Sequence, residues 1–589
     1  STWGLMLTGK MIAHDRATAD SIGAHLAGLL ARSGEPMIRA AVVRAMKIIG
    51  RQFVLAEDIH AALRAARRKQ RQGYAYSYDM LGEAARTAAD AQRYFDAYRE
   101  AIEAIGAANA RDDDARDDGG DDDDDPLRAD GLSVKLSALH PRYEYAQSER
   151  VLAELLPRIQ SLCAAARKHG IAVTIDAEES ERLDPSLSVL QALSSDPDLR
   201  GWDGLGFVVQ AYQKRASAVV DYLEELASKS KRKLMIRLVK GAYWDREIKQ
   251  AQVHGFADYP VFTRKAATDV SYLYCAQKLL ARPACFRPLF ATHNAHSVAS
   301  ILVFAGKRRD FEFQCLHGMG EMLYDPLVGD GRARCRIYAP VGSHRDLLAY
   351  LVRRLLENGA NSSFVNRLVD KELPIARIIQ DPARTLAHAE PKPHPNLPPP
   401  PRLYPDRANS CGMNLFDCAT LEAYYRAVES LRGARWQARP TTPSPDDEPT
   451  RESVTITNPA TGATVGDAQH ADARDIEHAV ASARAAADDW DHRGGAARAE
   501  LLETAAELYQ RHRDELLYLC AVEAGKTVPD AVAELREAID FLRYYATCAR
   551  RDFAAPRDLH GPTGERNQLS LHGRGVFACI SPWNFPLAI

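Results

Sequence analysis

Leu234-Met235-Ile236-Arg237-Leu238-Val239-Lys240-Gly241 is a strand-like apolar run that carries two cations, Arg237 inside it and Lys240 at its end. Similar short runs lie at 132–137, 172–178, 205–211, 288–294, 311–318, 334–342 and 362–367, and helix-length stretches separate most of them. Strands that alternate with helices pair in parallel. Eight such units in about 240 residues suit a closed (β/α)8 TIM-type barrel, an α/β fold. An open doubly wound sheet is the alternative, but no Gly-rich phosphate turn follows the first run.

The ends of these runs are polar. In order they carry Lys135; Asp176, Glu178 and Glu179; Gln210; Arg237 and Lys240; Thr292, His293 and Asn294; Gln314 and His317; and Tyr338. A barrel interior is ordinarily filled by Val, Ile and Leu, and a charge there costs several kcal/mol unless it is paired or functional. Any one of these residues alone reads as a buried ion pair or a solvated strand end. Seven of eight strands delivering them to one mouth predicts a site. After the seventh run, Ser343 suits an N-cap and Gly359 a C′ stop, with Arg353, Arg354 and Glu357 between them. Glu357 is placed to pair with either arginine, and two adjacent guanidinium forks suit a bound carboxylate or, equally, a surface position.

Outward from the barrel, residues 1–110 read as helical, with apolar residues at spacings of three and four in Ile38, Val42, Val43, Ala45, Met46 and Ile49. Residues 111–129 read as an acidic Asp-rich loop, in which like charges repel and nothing can bury. A calcium tract there lacks EF-hand spacing. The barrel is expected over 130–385. A Pro-rich linker with a short helix near 421–431 follows over 386–450. A further domain is expected over 451–589, opening with a turn between two strands at Thr457-Asn458-Pro459-Ala460-Thr461-Gly462. Long helices follow from Ala471 to about Ala549, then a strand at 575–580.

The 589 residues are 46% hydrophobic and 26% charged, with net charge −3. Removing the acidic tract's ten Asp and two Arg from 79 acidic and 76 basic residues leaves 69 against 74, or +5. Neither balance points to nucleic acid, and no basic block or basic-aromatic stripe is present. Ten scattered cysteines without a CxxC read as reduced thiols of a cytoplasmic protein. No run approaches the length of a membrane span, and no metal-ligand spacing stands out. The start at Ser1 and the stop inside Phe585-Pro586-Leu587-Ala588-Ile589 create the expectation of a piece of a longer chain.

Six stretches now occur together in order: Ser133-Val134-Lys135-Leu136-Ser137, Asp176-Ala177-Glu178-Glu179, Arg237 through Trp244, Thr292-His293-Asn294, Tyr338-Ala339-Pro340-Val341-Gly342 and Tyr350 through Asn361. They resemble the proline dehydrogenase barrel of the proline utilization A family, bifunctional bacterial enzymes. The resemblance implies noncovalent FAD, L-proline as substrate, hydride transfer to flavin N5 and pyrroline-5-carboxylate as product. It implies Arg353 and Arg354 on the proline carboxylate, Tyr338 over the ring, Lys135 and Asp176 lining the pocket, and Arg237 near flavin N5. Gln210, Val239, Lys240, Gly241, Ala242, Tyr243, Trp244, Thr292, His293, Asn294, Gln314, Leu316, Glu357 and Phe364 match flavin-holding positions. Glu83 matches a residue that pairs with one arginine and gates the site.

Residues 451–589 resemble the start of an aldehyde dehydrogenase through Thr457 to Gly462, Glu523-Ala524-Gly525-Lys526 and Ser581-Pro582-Trp583-Asn584-Phe585-Pro586. The resemblance implies Asn584 as an oxyanion donor. None of Cys520, Cys548 and Cys579 fits the nucleophile's motif, so the NAD-dependent oxidation of glutamate semialdehyde is expected only of a longer parent. Quinone as electron acceptor, peripheral contact with the inner membrane and homo-oligomerisation are implied by the resemblance alone. A DNA-binding regulator would need a basic strand-helix-helix segment, which the sequence does not display. A folate-linked flavin reductase on a similar barrel is disfavoured by the Arg353/Arg354 pair.

Overall fold

The computed structural model describes residues 53–113, 129–342, 379–441 and 451–588. The chain divides into two compact units, residues 1–247 with 260–394, and 248–259 with 395–589.

The first unit is built on a closed barrel of eight strands in sequence order. They are β1 (Tyr74–Asp79), β2 (Gly131–Val134), β3 (Val173–Ile175), β4 (Leu205–Gln210), β5 (Leu234–Val239), β6 (Phe286–Ala291), β7 (Glu312–Leu316) and β8 (Arg334–Pro340). Every neighbouring pair is parallel, and β8 returns to β1 with Ser77 opposite Tyr338. The expected closed barrel is therefore found, and seven of the expected runs are strands of it.

One strand was placed wrongly by sequence. The ring closes through β1, inside the 1–110 stretch expected to be helical, and not through 362–367, which lies outside the described residues. Tyr74-Ala75-Tyr76-Ser77-Tyr78-Asp79 alternates aromatic and small side chains, a period of two. Its tyrosines point outward into the helical layer: Tyr76 and Tyr78 stack with ring centroids 5.7 Å apart and belong to the main core. Ser77 and Asp79 point inward, where their hydroxyl and carboxylate meet side chains of other strands.

Helices cover the barrel. They include α1 (Ile59–Gln70) before β1, α2 (Ala88–Asp113) after it, α3 (Leu156–Lys168), α4 (Leu183–Ser194), α5 (Ala216–Ser230), α6 (Trp244–His254), α7 (Lys265–Leu280), α8 (Ala295–Ala305) and α9 (Glu321–Gly329). Helix α1 begins where the Asp58 carboxylate accepts the Ala61 N–H at 2.8 Å, a cap for one of the free amides of the first turn. Helix α2 runs three residues into the expected acidic loop; the rest of that tract, 114–128, lies outside the described residues. So does the helix expected between Ser343 and Gly359.

Alternation along each strand sorts the barrel. On β8, Cys335, Ile337 and Ala339 join the apolar core between strands and helices. Arg336 and Tyr338 face inward. The guanidinium of Arg336 donates from Nε and Nη2 to the two carboxylate oxygens of Glu312 at 2.7 and 3.1 Å. It also donates to the carbonyls of Tyr76 and Ala129 at 3.0 and 2.8 Å. This ion pair lies in the lower interior, with Glu312 in register with Leu289, and Leu289 forms a small apolar cluster with Ala172 and Met235.

The second unit holds α10 (Cys418–Leu431), a sheet of β9 (Trp436–Ala438), β10 (Ser453–Thr457) and β11 (Thr464–Gln469), helices α11 (Ala473–His492), α12 (Gly494–Arg511), α13 (Arg513–Val522) and α14 (Val528–Asp552), and the hairpin β12 (Arg557–Leu559) and β13 (Asn567–Leu569). The expected turn at 457–462 joins antiparallel β10 and β11. The strand expected at 575–580 is not formed. Phe577 and Ile580 are exposed and no neighbouring strand pairs with the segment, so its backbone has no ladder to join. Its core is a separate apolar cluster around Ala506, Leu517, Leu535 and Ile539.

Candidate active site

The carboxyl rim of the barrel is organised by four charged groups and a phenol. Lys135, immediately after β2, places Nζ 2.8 Å from Asp79 Oδ2, 3.3 Å from Asp176 Oδ2 and 3.3 Å from Tyr338 Oη. The Tyr338 hydroxyl lies 2.7 Å from both Asp79 Oδ2 and Asp176 Oδ2. Arg237 on β5 donates from Nη1 to Asp176 Oδ1 at 2.7 Å. Its Nη2 donates to the hydroxyls of Ser133 at 3.0 Å and Ser77 at 3.2 Å, which are themselves 2.9 Å apart. The guanidinium also sits 5.2 Å from the centre of the Tyr338 ring.

Two cations and two carboxylates balance, which is how so much charge is tolerated at 0–8% exposure. Burial alone would depress the Lys135 ammonium, but Asp79, Tyr338 and Asp176 outweigh it and hold the group well above its usual pKa. The Tyr338 phenol is pushed up by burial and by the adjacent carboxylates, so it remains a hydroxyl. One donor of Arg237 is left over: Nε is buried and has no hydrogen-bond partner among the described residues. A buried charged N–H without an acceptor is costly and marks a position for a ligand atom.

The remaining expected residues form a second arc. Gln210 ends β4 and donates to the Glu178 carbonyl at 2.8 Å. Val239 and Lys240 close β5, and Lys240 pairs with Asp269, which also accepts from Lys265 at 2.7 Å. Burial lowers the Lys240 pKa against that pairing. Gly241 has φ +135°, and a Cβ there would lie 2.4 Å from the Tyr212 ring, so only glycine fits. Ala242 is exposed and Tyr243 half-buried, and Trp244 donates from Nε1 to the Phe262 carbonyl at 2.9 Å.

Past β6, the Thr292 hydroxyl accepts the Asn294 N–H at 3.1 Å, and the Asn294 side chain caps α8 on the Ser297 N–H at 3.2 Å. His293 Nε2 accepts the Leu316 N–H at 3.1 Å, which places the ring proton of neutral His293 on Nδ1. Gln314 donates to Glu312 at 2.7 Å, while its own Oε1 is buried without a partner among the described residues. Glu83 is half-buried four residues beyond Asp79.

Arg353, Arg354, Glu357 and Phe364 lie outside the described residues. Asn584 occupies an exposed turn of the second unit. Sequence reasoning missed Asp79, Ser77 and Ser133 as site residues. The first two sit on the overlooked β1, and Ser133 was read only as part of a motif. The period-two pattern of 74–79 is the signal that would have found them. Among the described residues no group of three or more His, Cys, Asp or Glu could hold a metal ion, and no helix is long and apolar enough to cross a membrane.

Comparison with known proteins accounts for this architecture. A family model described as proline dehydrogenase matches residues 62–367, one described as the aldehyde dehydrogenase family matches 446–589, and one described as the DNA-binding domain of proline dehydrogenase matches 1–53. The bifunctional protein PutA of Escherichia coli is 48% identical over 100% of this chain. The chain spans 44% of that relative's length. Among solved structures, proline utilization A of Bradyrhizobium japonicum is 46% identical with a TM-score of 0.78, over 95% of this chain and 53% of that one. Proline utilization A of Bdellovibrio bacteriovorus, described as inactivated by N-propargylglycine, is 29% identical with a TM-score of 0.82, over 94% of this chain and 56% of that one. With the first family model spanning more than half of its residues, and with relatives of this kind along its whole length, the chain belongs to the proline dehydrogenase family, in its bifunctional proline utilization A group.

Proposed function

We propose that the barrel oxidises L-proline to pyrroline-5-carboxylate with FAD as its cofactor, the first step in converting proline to glutamate. The observation that carries this reading is the convergence of Lys135, Asp176, Arg237 and Tyr338 in one hydrogen-bonded group at the carboxyl rim. That rim is where this fold performs its chemistry.

The residues present fit a flavin. Among the described residues the buried Nε of Arg237 lacks an acceptor and the buried Oε1 of Gln314 lacks a donor, and the backbone at Gly241 admits no side chain. Arg237, Lys240, Gly241 and His293 would hold the cofactor together with Gln210, Thr292, Asn294 and Gln314. Bound FAD supplies the hydride acceptor. The chain's own residues do the rest. Arg353 and Arg354 take the substrate carboxylate, Tyr338 packs on its ring, and the Arg237 cation sits where negative charge develops. Oxidation removes one hydride and one proton from the substrate, and positioning counts for more than a strong base.

The test is direct. Purified chain is expected to carry a yellow chromophore that L-proline bleaches without oxygen, and to reduce a dye with proline. It is not expected to oxidise an aldehyde with NAD: none of Cys520, Cys548 and Cys579 fits the nucleophile's motif, and Cys520 is buried with its thiol pushed up to about 11. Folded, colourless protein inert to proline sinks the proposal. Electron delivery to quinone at a membrane surface belongs to the same proposal.

The match of residues 1–53 favours a second reading for that segment, DNA contact, against the expectation of no nucleic-acid partner. Duplex DNA binding by the full chain, lost on removing residues 1–53, is the expected result. Equal binding by both forms excludes it.

A further inference from the structure

The Tyr338 hydroxyl carries one hydrogen, yet it lies 2.7 Å from two carboxylate oxygens, Asp79 Oδ2 and Asp176 Oδ2. It can donate to only one of them. Lys135 already directs its three hydrogens to Asp79, Asp176 and the Tyr338 oxygen. The other oxygens are occupied as well. Asp79 Oδ1 accepts the Leu81 N–H at 3.1 Å, and Asp176 Oδ1 accepts from Arg237. One of the two short Tyr338–carboxylate contacts therefore has no hydrogen between its oxygens. The cluster is one hydrogen short.

We infer that this cluster is the acceptor of the substrate's amine proton, and that Asp79, its most deeply buried carboxylate, is the residue that makes the vacancy. This rests on the proline-oxidising reading above. The step is a plain proton transfer: an N–H bond of the prolinium breaks, an O–H bond forms on the carboxylate pair, and prolinium plus carboxylate become neutral amine plus carboxylic acid. The neutral amine keeps the nitrogen lone pair that must become the C=N bond as the hydride leaves.

Among the described residues, the charged and titratable neighbours fit this role. Lys135 is clamped as an ammonium and has no lone pair to offer. Arg237 pairs with the far oxygen of Asp176. The Tyr98 hydroxyl is engaged by the backbone N–H of Lys135 at 3.2 Å. Asp79 is wholly buried, so a proton placed there exchanges with water only through the other three groups.

Asp79→Asn is the decisive variant. Its amide supplies hydrogens permanently, fills the vacancy and cannot take up a proton. Two measurements are needed on the flavin-loaded full chain. Anaerobic stopped-flow reduction at saturating L-proline is expected to slow by about 10²-fold, with the acid limb of its pH profile lost. Calorimetry of proline binding to enzyme reduced beforehand, in two buffers of different ionisation enthalpy, is expected to show no net proton release for the native chain and about one proton released per proline for the variant.

Tyr338→Phe takes one more hydrogen out of the cluster and leaves both carboxylates in place, so it should keep the native proton count, as should Asp79→Glu. An Asp79→Asn enzyme with native pH profile and proton count overturns the inference, as does a proton released on proline binding to Tyr338→Phe. If the native chain itself leaves the flavin oxidised with proline, it is the proline-oxidising reading that fails.

Discussion

Arg237→Met is expected to slow proline-dependent cofactor reduction by about 10²–10³-fold, the usual consequence of deleting one donor from a preorganised electrostatic site. Three separate contacts make the effect large. Nη1 neutralises Asp176, Nη2 is fixed by Ser77 and Ser133, and Nε is a buried donor without an acceptor among the described residues. Methionine fills similar space but leaves Asp176 facing Asp79 with only Lys135 between them. Stability should drop too, by about 3–5 kcal/mol, because removing one partner strands a buried charge. Single-turnover flavin reduction and thermal unfolding measure the two effects independently. A variant with a native reduction rate would remove Arg237 from the chemistry, whatever its effect on Tm.

Arg336→Met should behave in the opposite way. Arg336 and Glu312 form a bidentate pair in the lower interior, at 3% and 1% exposure. Loss of the guanidinium leaves Glu312 buried and the Tyr76 and Ala129 carbonyls without their donor. The expected cost is about 3–5 kcal/mol, and a Tm lower by roughly 6–20 °C. The double variant Arg336→Met/Glu312→Leu should recover most of it, since exchanging a buried ion pair for apolar side chains of similar volume is often neutral. Proline turnover per folded molecule should stay near native in both. A single variant as stable as the native chain, or a double variant no better than the single, contradicts this account.

These two arginines look alike in sequence. Each interrupts an apolar run, Leu234–Val239 for Arg237 and Arg334–Pro340 for Arg336, and each faces the barrel interior. Arg237 stands out in the sequence as one of the polar strand ends and through the motif around it. Arg336 carries no motif and was not singled out. Their difference lies in what remains unpaired: among the described residues Arg336 spends its guanidinium on Glu312 and two backbone carbonyls, whereas Arg237 keeps a donor in reserve.

The alternation of apolar runs and helices pointed to a parallel closed barrel and located seven of its eight strands, because strand and helix periods are local properties that survive without partners. Motif identity likewise placed Lys135, Asp176, Arg237 and Tyr338 at one mouth. Tertiary structure alone decided which run closes the ring. Tyr74–Asp79 is six residues between helices whose alternation is compatible with a strand, and what makes it the closing strand is pairing with Cys335–Pro340, some 260 residues away, and with β2. It also decided the partners of each rim charge. Hydrogen-bond geometry among Asp79, Lys135, Asp176 and Tyr338 is fixed by the stagger of four strands, and no spacing along the chain encodes that stagger.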